Sequence, residues 1–456
     1  MDIKKTAPPL VTGLISTALC FSLGFFNSVF KYNGLEFFYA YIAFSIILCY
    51  PMNLVAVYLE RAYPQLHTHS GLVKQLTGSS KLRAISVLLT AVTIIILSLI
   101  VFSISSYFLD FFDNVPAIDR LSNASLDFNA SFPIYAILFI VFVVMMLLLI
   151  LASKNKISIN NILKTLAHTA LYLVIILMLM AIYMPNSFIG INDFIFTLNY
   201  QNSTQMHNML AMAMLYAIIS NFISLSLYKN ILEIAGDESN KLKLTALKSI
   251  FYNLAFSFIV CVTIYAILGD YRTSLQPTEN LDITAVFAIV KNNSPIYYLL
   301  LEIIFITFAL IVFVAALKYI SEITSKLYIK MIVLCISFIL TIGFIANGFT
   351  NLNFSTMFEL HLLIVFLFLF DVFIIGWIYD AQKLSYEIIK NTEVKLTGLF
   401  NIMLRIIIPF VCILVTVGYI FPTISIGMQL LAAIFCIIIY IIKGSIFKNA
   451  LNKRKF

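Results

Sequence analysis

Apolar runs of about twenty residues recur along almost the whole chain, separated by short polar stretches. They fall at about 10–30, 36–59, 82–109, 133–152, 161–184, 206–233, 247–268, 296–321, 327–349, 358–381, 399–420 and 425–443. A helix of that length crosses the hydrocarbon core of a bilayer, so the pattern predicts twelve transmembrane spans. No stretch between them is long enough for a soluble domain. The first run departs from the pattern near its middle. Cys20-Phe21-Ser22-Leu23-Gly24 and then Asn27-Ser28 interrupt it before Lys31-Tyr32-Asn33-Gly34. A helix in lipid must satisfy its own backbone, so glycine and small polar residues at mid-depth are costly unless they line a cavity. Broken helices at the midplane form the binding sites of secondary transporters.

A second interruption lies in the sixth run, at Tyr216-Ala217-Ile218-Ile219-Ser220-Asn221-Phe222-Ile223-Ser224. Serine and asparagine side chains compete for backbone hydrogen bonds and support a local unwinding. Alone, Ser220-Asn221 reads as a helix–helix contact. Paired with the first span it reads as a site, and a spacing of five spans is what an inverted repeat of five plus five helices produces. The expected fold is therefore an all-α polytopic membrane protein with helices 1 and 6 broken. Residues 1–184 form the first repeat and 206–383 the second, inverted one. Residues 399–456 carry helices 11 and 12 and a basic cytoplasmic tail.

Composition supports this class: 62% of the 456 residues are hydrophobic and 11% charged, against about 25% charged in a soluble domain. The net charge of +8 raises a nucleic-acid reading, and the distribution of charge removes it. With a cytoplasmic N-terminus, Lys31, Arg120, Arg272 and Lys291 fall outside and Lys318 lies within a span. The other lysines and arginines fall on the cytoplasmic side, which is the positive-inside bias of a plasma-membrane protein with both termini cytoplasmic. The basic ends face anionic lipid. The N-terminal segment lacks a cleavage site, so the first span is read as retained. All six cysteines lie inside spans and read as buried packing. Residues 283–290, too short to span, read either as a re-entrant lid or as packing on span ends.

Three stretches resemble the neurotransmitter:sodium symporter family, whose fold is that of the bacterial leucine transporter. Asp371-Val372-Phe373-Ile374-Ile375-Gly376-Trp377-Ile378-Tyr379-Asp380-Ala381-Gln382-Lys383 is similar to the end of the family's tenth span. Arg405-Ile406-Ile407-Ile408-Pro409 resembles the arginine-x-x-x-proline of its eleventh. Asn33-Gly34, followed by Phe37, Tyr41, Pro51 and Arg61, resembles its second. The resemblance implies transport of amino acids or small amines coupled to sodium. Its sodium-site asparagine or aspartate in the seventh span matches Asn253. Its first-span asparagine matches Phe25, and its hydroxyl pair in the eighth span falls on Ala315-Ala316. Sodium needs hard oxygen ligands, and methyl groups supply none. The ion site is thus expected to be weak, at Asn253, and no other metal or cofactor is expected.

Ser22, Gly24, Ser220 and Asn221 are the candidate substrate-binding groups. Exposed N–H groups at half-helix ends suit a carboxylate and unwound carbonyls suit an ammonium. Tyr216 and Phe102 shape the side-chain pocket or, singly, are ordinary packing. Lys318 shares a helix face with Ala315. It either occupies the space of a missing sodium, as a coupling residue, or snorkels toward the cytoplasm beside Glu322. Asp371 reads as packing or gating. Glu302 and Glu359 read as solvated near outer span ends, with Glu359 a possible gate residue. His67-Thr68-His69 sits in a loop with no acid near it in sequence. A membrane enzyme should cluster His, Asp and Glu at one membrane face, so no enzyme is expected. The expected partners are a small-molecule substrate and the bilayer, with no nucleic acid; the alternatives are a sodium-independent or proton-coupled amino-acid transporter, or a non-transporting membrane sensor derived from a transporter.

Overall fold

The computed structural model describes residues 8–22, 24–32, 34–63, 66, 69–89, 128–154, 158–184, 186–196, 203–221, 242–269, 290, 295–322, 326–346, 358–391 and 395–452. Every regular element among them is helical. In chain order they are α1 (Pro8–Ser22), α2 (Phe25–Lys31), α3 (Leu35–Phe44), α4 (Tyr50–Ala62), α5 (His69–Thr77), α6 (80–89), α7 (Phe128–Ser153), α8 (Ile159–Ile182) and α9 (Ser187–Phe196). There follow α10 (Ser203–Asn221), α11 (Leu242–Leu268), α12 (Pro295–Glu322), α13 (Leu327–Ala346), α14 (Phe358–Phe373), α15 (Ala381–Asn391), α16 (Gly398–Ile402), α17 (Ile408–Ile420) and α18 (Ile426–Asn452).

Six of the described helices are long and apolar enough to cross a bilayer, and up to eight spans result if each of two sharply bent pairs is one. The protein is a membrane-embedded helical bundle. Much of the predicted third span and the end of the sixth lie outside the described residues. The spans divide by what surrounds them. Leu35–Glu60 and Ile296–Lys318 are each 72% buried within the protein, whereas Ile426–Ile446 is 17% buried. On that last helix Ile434, Phe435, Ile438 and Ile442 point outward, as side chains facing lipid do, because acyl tails are as apolar as leucine. α1 lies at the centre, packed on α11, α12, α10 and α8.

Two prolines shape the bundle in the same way. Pro51 has no N–H to offer the carbonyl four residues earlier, and the helix widens just before it. The Tyr50 N–H bonds to Ser45 O, making Ser45–Cys49 a π turn between α3 and α4. Pro409 does the same: the Ile408 N–H bonds to Met403 O, and Met403–Ile407 is a π turn between α16 and α17. A third π turn, Ile374–Ile378, ends α14 without a proline. The chain then bends by 77° near Asp380, whose φ is 79°.

The first span is broken, at Gly24. Its φ of 83° is one that glycine adopts without cost, and α1 and α2 meet there at 66°. Asn27 and Ser28, expected to be part of the interruption, instead lie inside α2. α9, between the fifth and sixth spans, was not foreseen. It presses so closely on α11 that a Cβ on Gly190 would lie 1.9 Å from Tyr265 O.

Candidate functional site

The break in the first span is surrounded by rings. Phe25, fully buried, packs its ring 5.3 Å from Phe21, 5.6 Å from Phe37, 4.8 Å from Tyr41 and 5.3 Å from Tyr216 (centroid distances). Phe21 continues the cluster to Phe305 and Phe308 of α12, at 6.3 and 5.9 Å. Edge-to-face pairs of this kind add about 1 kcal/mol each beyond the area they bury. Phe25 stands where the resemblance implies an ion-ligating asparagine, and this side chain makes the centre of the bundle apolar.

Beside the rings lies a network of neutral polar groups contributed by four spans. The Asn253 amide of α11 donates from Nδ2 to the Tyr41 hydroxyl of α3 (2.8 Å), and Tyr41 donates to Ser220 Oγ of α10 (2.9 Å). The Thr17 hydroxyl of α1 donates toward Asn253 Oδ1 at 3.1 Å. The Asn221 Nδ2 donates to Ser220 Oγ (2.8 Å), to Ala217 O (3.1 Å) and to Ser45 Oγ (3.3 Å). The π turn before Pro51 brings Ser45 and Cys49 against α10, where the Cys49 thiol donates to Ala217 O at 3.2 Å. Thr17, Ser45, Ser220, Asn221 and Asn253 are all at most 2% exposed. A buried polar network holds its elements firmly when its members satisfy one another.

Tyr216, Ser220, Asn221 and Asn253 come together here, with Gly24 at the break and Ser22 buried at the end of α1. The interruption expected at Tyr216–Ser224 is absent over Tyr216–Asn221, which lie inside the continuous helix α10; its remaining residues, and Phe102, lie outside the described residues. Thr17, Tyr41 and Ser45 belong to the network and were not among the candidates. The apolar spacing of α1 and α3 hides them, and only the partners across the bundle reveal them. The oxygens of Thr17, Asn221 and Asn253 are of the type that binds sodium. In this arrangement they are engaged with one another. Ala315 and Ala316 are buried on α12, which packs on α1.

Other candidates lie elsewhere. Lys318 lines a polar recess of about 230 Å³ with Lys330, Ser153, Ser158 and Asn160, which shares no residue with the network. The Glu359, Glu322 and His361 side chains are outside the described residues. Glu302, expected to be solvated, is 5% exposed: it faces the bundle interior from α12.

The reading of His69 as lacking an acidic neighbour is corrected. Its Nε2 is 2.6 Å from Asp371 Oδ1 and its Nδ1 is 2.6 Å from Ser86 Oγ of α6. All three residues are buried. The contact spans 302 positions of sequence, beyond the reach of any local pattern. Among the described residues no three His, Cys, Asp or Glu side chains are grouped to hold a metal.

Comparison with protein-family models and with curated proteins returns no match for this chain.

Proposed function

We propose that the chain is a secondary transporter of amino acids or related small amines, working by alternating access and resembling the neurotransmitter:sodium symporter family. The observation that carries this reading is the break at Gly24, set against a buried polar network that joins the first, second, sixth and seventh spans. Half-helix ends and unwound backbone at such a break supply the groups that recognise a carboxylate and an ammonium.

The packing supports a five-plus-five inverted repeat within twelve spans. Contacts recur when every span is shifted by five places in the order. The first span packs on the seventh and the second on the sixth; the first packs on the fifth and the sixth on the tenth. The fourth and ninth, which exchange with each other, are in contact as α7 and α13. The positive-inside bias of the charged residues supports a plasma-membrane protein with both termini cytoplasmic.

Sodium coupling is weak in this reading. Phe25 and the Ala315–Ala316 pair withdraw the oxygen ligands that the resemblance implies, leaving Asn253. With Phe25 wedged among four rings, the described arrangement is one closed around side chains, and substrate enters when α2 and its rings move away. The Ser86–His69–Asp371 group does not favour an enzyme. In a hydrolase triad the acid meets Nδ1 and the serine Nε2; here the order is reversed and the serine is fully buried.

The test is uptake of a panel of labelled amino acids into proteoliposomes under sodium, proton or no gradient. Saturable uptake of a zwitterionic amino acid is expected. Binding to the purified protein should differ little between sodium chloride and choline chloride. A large sodium-driven gain in affinity would overturn the weak-sodium part, and no uptake or exchange of any amino acid would overturn the whole.

A further inference from the structure

One imidazole gathers three segments at a single buried point. His69 opens α5, Ser86 belongs to α6, and Asp371 lies in the last turn of α14. Side-chain exposures are 3% for His69 and 1% for Asp371. Neutral groups alone hold the central network together. Here, in contrast, an imidazole meets a carboxylate, and Asp371 lies within a span candidate, where ionisable residues are rare and mark ion or proton pathways. The Phe370 ring, 6.2 Å from the imidazole, covers the pair on one side.

We propose that His69, Asp371 and Ser86 form a proton-binding site, and that its proton is the ion coupled to substrate movement. The coupling half rests on the transporter reading above; the site itself does not. In the proton-free form the imidazole is neutral. Its Nε2–H donates to the Asp371 carboxylate and its Nδ1 accepts from the Ser86 hydroxyl, so the group carries one negative charge. One proton added at Nδ1 yields an imidazolium beside the carboxylate, with no net charge. The Ser86 hydroxyl then rotates to accept from Nδ1–H. The heavy atoms stay in place, and no other bond forms or breaks. The site thus gains one unit of positive charge, as a sodium site would, without the hydroxyl pair that Ala315 and Ala316 replace.

Among the described residues, the other charged groups on the neighbouring elements are exposed or paired with one another. Lys74 on α5 and Lys81 and Arg83 on α6 are exposed. Arg405, packed on the π turn that follows Asp371, is paired with Asp380. Glu387 of α15 accepts from the Tyr58 and Tyr379 hydroxyls and lies 3.8 Å from Lys383. α10 and α17, which also pack on α14, contribute Tyr216, Cys412 and Tyr419, together with His207, which sits beside Gly418.

The experiment uses the full-length protein, labelled with ¹⁵N-histidine, in nanodiscs of mixed neutral and anionic lipid. Imidazole nitrogen signals of the five histidines are followed across about four units of pH centred near neutrality, the range in which histidine changes charge. One imidazole should convert from the Nε2–H tautomer to the imidazolium. Its signal should vanish in His69→Gln, and its midpoint should move in Asp371→Asn. Ser86→Ala, which keeps both charged partners, should retain the titration with an altered Nδ1 shift. This last variant holds if either of the others fails to run as a single species on gel filtration. A His69 signal that keeps one form throughout overturns the site. In proteoliposomes, a one-unit pH gradient should drive about tenfold accumulation by the wild type and none by His69→Gln or Asp371→Asn, with substrate exchange retained. Accumulation indifferent to the gradient overturns the coupling half alone. If the wild type exchanges no amino acid, that half falls with the transporter reading, and the nitrogen signals still decide the site.

Discussion

Among the described residues two membrane-span candidates are sharply bent, by 66° at Gly24 and by 77° near Asp380, and the two bends are held in different ways. Both use a left-handed residue, at φ 83° and 79°. At Gly24 the conformation costs nothing, and no side chain caps the helix that follows; rings and neutral hydrogen bonds surround it. At Asp380 a non-glycine residue takes a conformation costing about 1–2 kcal/mol, and a clamp offsets it. The Arg405 Nε–H donates to Gly376 O at 3.0 Å, its guanidinium pairs with Asp380, and it lies 5.4 Å from the Trp377 ring centre. Asp380 Oδ1 also accepts from the Gln382 N–H. A bend that needs no compensation can straighten and reform, whereas a clamped one is fixed. In the transport reading, the first bend is the moving part and the second a strut.

The largest expected effect is at the strut. Arg405→Ala removes the guanidinium that pairs with Asp380 and the N–H that bonds the Gly376 carbonyl, at a cost of about 3 kcal/mol. Thermal unfolding in detergent should show it, with exchange per folded molecule nearly unchanged. A variant as stable as the wild type would end the distinction between the two bends. Next is Asn253→Ala, which strips partners from Thr17 and Tyr41 and should cost about 2 kcal/mol. In a double-mutant cycle with Tyr41→Phe the two losses should fall short of additivity by about 1 kcal/mol, as members of one network do. Strict additivity would mean that the network is a set of independent contacts.

Much of this was readable in the sequence where the signal is local. Membrane spans are legible because lipid demands a long apolar stretch. The break at Gly24 is legible because a glycine follows Cys20 and Ser22 in the middle of an apolar run, although Asn27 and Ser28 misled: both are accommodated inside α2. The Trp377 and Arg405 motifs were visible as separate stretches, and only folding shows them in contact. The pairing of His69 with Asp371 had no sequence signal, since burial of His69 depends on where α5 packs. Tyr41 looked like one more aromatic among many until its hydroxyl was seen between Asn253 and Ser220.

Gly24→Ala sharpens the mobile half. A methyl group at φ 83° costs about 1 kcal/mol, so the folded protein should survive while the break loses its free choice of conformation. Substrate exchange should slow more than stability falls. Equal losses in both would make Gly24 a structural turn and nothing more.

The smallest effect separates charge from geometry at the second bend. Asp380→Asn keeps a side chain that tolerates the left-handed region, an oxygen that can still accept from the Gln382 N–H, and an acceptor for Arg405. It removes the negative charge. The pair is about one-fifth exposed on each side, a setting in which such interactions are partly screened, so the loss should be about 1 kcal/mol or less. Raising the salt concentration should shrink the difference between variant and wild type. A loss as large as that of Arg405→Ala would mean that the ion pair alone holds the strut. A loss near zero would assign the strut to the Arg405–Gly376 hydrogen bond and the stacking on Trp377, contacts that Asp380→Asn leaves intact.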